Sequence, residues 1–217
     1  MTGNPIRILA IAGLALAASG CALLSSPKPV QLYRFGGTGA EPATAAPGAT
    51  APIPVALRRI DFPEASKGDR ILGVTGNETA YIKGARWVSP AEILFNDALE
   101  EAFNAHPRVR LIGRREPGVA TRVLTVDVTK FEARYDAPGG NPTVVITARA
   151  RLTVLPERNV TSEQVFTVSQ PATENRVSAI VDAFDIASRD LDNQLVDWTA
   201  NSAPAAVATP AARPTAR

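Results

Sequence analysis

The chain has 217 residues, with 23 basic and 21 acidic side chains, a formal net charge of +2, one histidine and one cysteine. That length suits one ordinary domain, and a lone cysteine excludes an internal disulfide, a thiol redox pair and a cysteine-rich metal centre. No basic run of the kind nucleic-acid binding needs is present, and no acidic tail.

The first element is a leader. Arg7 precedes a ten-residue apolar run, 8–17, too short for a permanent membrane helix of about 20 apolar residues. The run closes in Ala17-Ala18-Ser19-Gly20-Cys21. Small residues enter a peptidase groove in extended form, and a thiol is the nucleophile for diacylglyceryl transfer. This segment resembles the lipobox of bacterial lipoproteins, departing from it at Ala18, where Leu is commonest. It predicts a signal peptide over 1–20 and a membrane tether made by acyl chains on Cys21. Each buried CH₂ contributes about 0.8 kcal/mol, so one chain is marginal and a multiply acylated Cys21 would hold. Sorting rules for such lipoproteins treat Asp in the next position as an inner-membrane retention signal. Ala22 stands there instead, which implies the periplasmic face of the outer membrane.

Val30 to Phe35 reads as a short strand. Gly36 to Pro54 is Gly, Ala, Thr and Pro with one charge, Glu41, and such a stretch buries too little apolar surface to offset its ordering entropy. The same holds for Asn201 to Arg217. The predicted organisation is therefore a lipidated N-terminus and flexible linker over 21–52, one domain over 53–198, and a disordered Ala/Pro tail over 199–217.

Within the domain, Val55 to Phe62 is β-rich and ends at Pro63. Arg70 to Val74 and Glu78 to Ile82 flank Gly76-Asn77, a hairpin turn. Ser89, Pro90 and Glu92 read as a capping box opening a helix, with apolar Ala91, Leu94, Phe95, Ala98, Ala102 and Phe103 on one face. Pro107 ends it, Val109 to Ile112 follows as a strand, and the strand–helix–strand series suggests a right-handed parallel crossover. Leu124, Val126 and Val128 share one parity and Phe131, Ala133 and Tyr135 the other, which predicts a bulge near Thr129. Gly139-Gly140-Asn141-Pro142 is the turn into a cleanly alternating strand, Val144 to Val154, with one buried face. Pro156 to Asn159 turns the chain back into Val160 to Val168 as an antiparallel hairpin.

The last element runs from Glu174 to Trp198, with Thr173 as N-cap. Its apolar stripe is Val177, Ile180, Val181, Phe184, Ala187, Leu191, Leu195 and Trp198. Asp182, Asp185, Asp190, Asp192 and Asp197 read as solvated positions rather than a cation site. Together these elements make an α+β fold, a mixed sheet with two main helices packed on it.

The inventory is poor in chemistry. His106 is a helix-terminal loop residue with no second histidine or cysteine to join it in a metal or nucleophilic site. No phosphate-binding glycine loop follows a strand, so no catalytic, cofactor or metal residue is assigned and the chain does not read as an enzyme.

Tyr81-Ile82-Lys83-Gly84-Ala85-Arg86-Trp87-Val88-Ser89-Pro90 resembles a characteristic stretch of the ABC-type transport auxiliary lipoproteins. Further matches follow in family order: Leu32-Tyr33, Leu124 to Val128 with Phe131-Glu132, Ala148-Arg149-Ala150, and the closing Val196-Asp197-Trp198. The resemblance implies a fold similar to the N-terminal domain of TolB. It also implies a periplasmic accessory subunit of a lipid transport system of the Mce type, partnered with an Mce-domain protein and an ABC permease and ATPase. Self-association remains open. Arg86 and Trp87 are the candidate interaction residues, since Trp and Arg are enriched at interface hot spots. The favoured reading of Trp87 is nevertheless a core contact just before a helix. The competing function is a structural lipoprotein that assists assembly of an outer-membrane complex without handling lipid.

Overall fold

The computed structural model describes residues 29–36, 51–58, 60–113, 120–155 and 159–202. Two compact units divide the chain at Gln31 and Leu32; of the first, only extended residues 29–31 are described. The leader, Cys21, residues 37–50 of the linker, the turn residues 156–158 and the tail from 203 lie outside the described residues.

The strands are β1 (Gln31–Tyr33), β2 (Ile53–Leu57), β3 (Arg70–Thr75), β4 (Glu78–Trp87), β5 (Val109–Leu111), β6 (Arg122–Tyr135), β7 (Thr143–Val154) and β8 (Asn159–Pro171). The helices are α1 (Ala91–Ala105) and α2 (Val177–Ser202). All eight strands join one mixed sheet, which makes the fold α+β.

Strand β6 is the spine. Antiparallel β7 follows it from Arg122↔Val154 to Arg134↔Thr143, and β8 then pairs β7 from Thr143↔Pro171 to Val154↔Asn159. The other edge of β6 is shared. Parallel β2 covers its start, from Val55↔Arg122 to Leu57↔Leu124, and parallel β3 covers its end, from Gly73↔Ala133 to Thr75↔Tyr135. Between them a single parallel bridge, Asp61↔Asp127, keeps the chain on the same edge. Residues 62–69 therefore form an excursion out of one interrupted parallel run. The regular strand stops at Leu57, short of the predicted end at Phe62.

The periodicity of β6 and β7 is read out as burial. Leu124, Val126, Val128, Phe131 and Ala133 are buried, and the register slips between Val128 and Lys130. A bulge at Thr129 lets both parities reach one face. On β7, Val144, Ile146, Ala148, Ala150 and Leu152 are buried. The opposite face is polar: Arg151 Nη2 lies 2.7 Å from Asp127 Oδ2, and Thr147 Oγ1 lies 3.2 Å from Thr167 Oγ1. Helix α2 packs on β7 and β8 and also on α1.

Several expectations are corrected. The hairpin at Gly76-Asn77 is present, but β4 continues to Trp87. The Ser89 capping box does not form: Pro90 is the N-cap residue, with no side-chain cap bond. The first N–H groups of the helix, those of Ala91 and Glu92, instead donate to the carbonyls of Gly68 at 3.0 Å and Lys67 at 3.2 Å. Orphan donors at a helix start accept any well-placed acceptor, and the excursion supplies two. Strand β5 pairs β2, and β4 is antiparallel to the β3, β6, β2 and β5 set. Helix α1 thus spans between antiparallel strands at separate ends of the sheet path, and no parallel β4–α1–β5 crossover exists.

Helix α2 begins at Val177, so Thr173 is not its cap; the N–H of Ile180 bonds the carbonyl of Arg176 at 3.0 Å. It also runs four residues past Trp198. At the other end, Phe35 is buried and Gly36 is hydrogen-bonded, so the fold includes residues assigned to the linker.

Candidate functional site

The predicted interaction residues separate at once. Trp87, the last residue of β4, is 2% exposed. Its ring stands edge-on to Phe35 at 4.9 Å and to Phe184 at 5.3 Å, with Phe131 at 6.4 Å. Alternation along the strand turns Arg86 to the other face, where Nη1 meets Asp69 Oδ2 at 2.7 Å. Both partners are nearly half exposed, and such pairs contribute little. Trp87 is a core residue.

A partly polar groove lies between the helices. This groove of about 450 Å³ is walled by Ala98 and Ala102 of α1 and by Asp192, Asn193 and Val196 of α2, with Gly36 at one side. It exists because α1 presents small side chains there. Leu99 takes the buried place expected of Ala102, which is only half-buried and borders the groove. Gly36 has φ +70°, and a Cβ on it would sit 2.4 Å from the Ala98 Cβ. Its N–H donates to Asp185 Oδ1 at 2.8 Å, and Asp185 also pairs with Arg189 one turn on.

Asp192 overturns the solvated-aspartate expectation. It is 2% exposed, and its Oδ1 has no hydrogen-bond partner. Burial in this apolar setting pushes its pKa well above the ordinary carboxylate value, favouring the neutral acid. Ser188 Oγ, one turn earlier, is likewise buried and unpartnered. The signal was in the spacing: Phe184, Ser188, Asp192 and Val196 recur every four residues, so Asp192 shares the buried face.

Around the groove, Glu101 and Asp197 add carboxylates. His106 caps α1; its Nδ1 accepts the N–H of Arg108 at 3.2 Å, and Nε2 lies 3.4 Å from Asp197 Oδ1. Among the described residues no group of three or more His, Cys, Asp or Glu is placed to hold a metal ion. The site offers a buried acid and an apolar wall, which suits binding.

Comparison with known proteins gives the chain its relatives. The model of the ABC-type transport auxiliary lipoprotein component family matches residues 37–196. A solved protein of Xanthomonas campestris, from the DUF330 family, is 22% identical with a TM-score of 0.66, covering 79% of this chain and 96% of its own. A hypothetical protein of Chlamydia trachomatis is 11% identical with a TM-score of 0.51, covering 70% and 98%. At these identities the likeness is one of fold. No curated protein matches the chain.

Proposed function

Because the chain belongs to the ABC-type transport auxiliary lipoprotein component family, we propose that it serves an Mce-like intermembrane lipid transport system as a non-catalytic docking subunit. Acyl chains on Cys21 tether it to the periplasmic face of the outer membrane. Its partners are an Mce-domain protein and the permease and ATPase of the same system. No helix among the described residues is long and apolar enough to cross a membrane.

The observation that supports docking is the end of the β6–β7–β8 ladder. Strand β8 spans 13 residues and pairs only β7 among the described residues, leaving its other edge open. An open edge offers a row of backbone donors and acceptors to a partner strand. The core meanwhile is filled by side chains on the helix-covered face.

Photo-crosslinking from β8 in cells, followed by pull-down, should recover an Mce-domain or permease subunit. Deletion should alter lipid distribution between the membranes, and Cys21→Ser should release the protein from the membrane fraction. Crosslinks only to an outer-membrane assembly machine, with lipid distribution unchanged, would establish the scaffold reading instead.

A further inference from the structure

The groove between α1 and α2 contains a carboxyl that the fold itself leaves unmatched. Buried polar groups are hydrogen-bonded in nearly all proteins, yet Asp192 Oδ1 and Ser188 Oγ have no partner. What little of Asp192 is open lines the groove, whose volume of about 450 Å³ falls in the range of small-molecule sites. The charged groups around it are Glu101 from α1, His106 at its cap, and Asp185, Arg189 and Asp197 from α2. Arg189 is tied to Asp185, and His106 faces Asp197. Four carboxyl groups, those of Glu101, Asp185, Asp192 and Asp197, thus stand near one arginine and one histidine, and the walls between them are Ala98, Ala102 and Val196.

We infer that this groove binds a primary ammonium group carried on a short apolar stem, with Asp192 as its counter-charge. An ammonium is compact and carries three donors, which suits single buried oxygens; a guanidinium needs a planar two-oxygen fork. The stem lies along the alanine wall. The proton balance follows from the burial. The empty site favours neutral Asp192, a neighbouring cation favours the ionised form, and the carboxyl proton leaves to solvent as the amine enters. The ligand is a free amine or the ethanolamine headgroup of a phospholipid. The inference does not rest on the docking reading, since a soluble amine tests it without any partner.

The test uses the full chain extracted from membranes in a non-ionic detergent, titrated calorimetrically with butylamine, glycerophosphoethanolamine and glycerophosphoglycerol. Saturable butylamine binding is expected, with a heat that varies with the buffer's ionisation enthalpy because a proton is released. Asp192→Asn, nearly the same shape, should weaken binding about tenfold or more, as loss of a charge-assisted hydrogen bond does. Ala102→Leu, which fills the groove and keeps Asp192, should abolish it. Glycerophosphoethanolamine binding alongside butylamine assigns the lipid headgroup as the source, and butylamine binding alone assigns a free amine. No butylamine heat, equal binding of glycerophosphoglycerol, or an Asp192→Asn variant that binds like the parent would overturn the inference.

Discussion

The backbone N–H of Gly36 donates to Oδ1 of Asp185 at 2.8 Å, across 149 positions of sequence. This bond fastens the segment that leaves the sheet at β1 to the last helix. It does so at a place where only glycine fits, for two independent reasons. The backbone is left-handed there, and a side chain would overlap Ala98.

Gly36→Ala should therefore destabilise the fold strongly. A left-handed backbone costs an ordinary residue about 1–2 kcal/mol, and forcing a methyl into a filled site about 1–3 kcal/mol more. Chemical denaturation should show a lower midpoint with an unchanged slope. A midpoint equal to the parent's would mean that Gly36 is not seated against Ala98.

Asp192→Asn should stabilise the protein at neutral pH. Burial raises the folded-state pKa above the unfolded value, so between the two the folded chain holds a proton the unfolded chain has lost. Stability then falls as pH rises through that window, by up to about 1.4 kcal/mol per pH unit, and levels off above the folded pKa. Asparagine carries no such dependence. The gap between variant and parent should widen from about pH 4 upward and be small below it, measured by denaturation across pH. A constant gap would contradict the burial of a titrating acid.

Trp87 and Arg86 should behave as opposites. Trp87→Ala empties a buried place in the aromatic cluster and should cost about 3–5 kcal/mol. Arg86→Ala removes a half-exposed ion pair and should change stability by less than about 1 kcal/mol. Paired thermal melts read both. A stable Trp87→Ala protein that loses only partner binding would assign Trp87 a docking role.

Val165 lies on β8, 55% exposed. Val165→Lys should leave the fold within about 1 kcal/mol of the parent while reducing partner crosslinks from neighbouring β8 positions, because edge lysines discourage strand addition. Undiminished crosslinking would move the interface away from this strand.

Much of the fold was legible because burial on a sheet or helix follows local periods. The alternation from Val144 to Leu152, the change of parity at Thr129, the turn at Gly76-Asn77 and the apolar stripes of both helices each depend on residues two to four apart. Those contacts are set once the element forms. The family could be placed for a related reason: its segments keep their order along the chain.

What tertiary structure alone decided is which partner each element meets. Ser89 has the chemistry of a cap, but the carbonyls of Lys67 and Gly68 reach the helix start instead, and no local pattern announces a loop so far upstream. The pairing of β5 with β2 rather than β4 is likewise a choice among distant strands, decided by how the whole sheet closes. Asp192 is the sharpest case. Its spacing placed it on the inward face of α2, but an aspartate there is ordinarily solvated. Only the approach of α1 through its alanines, with Gly36 beside them, removes the water and turns a surface acid into the buried group of a groove.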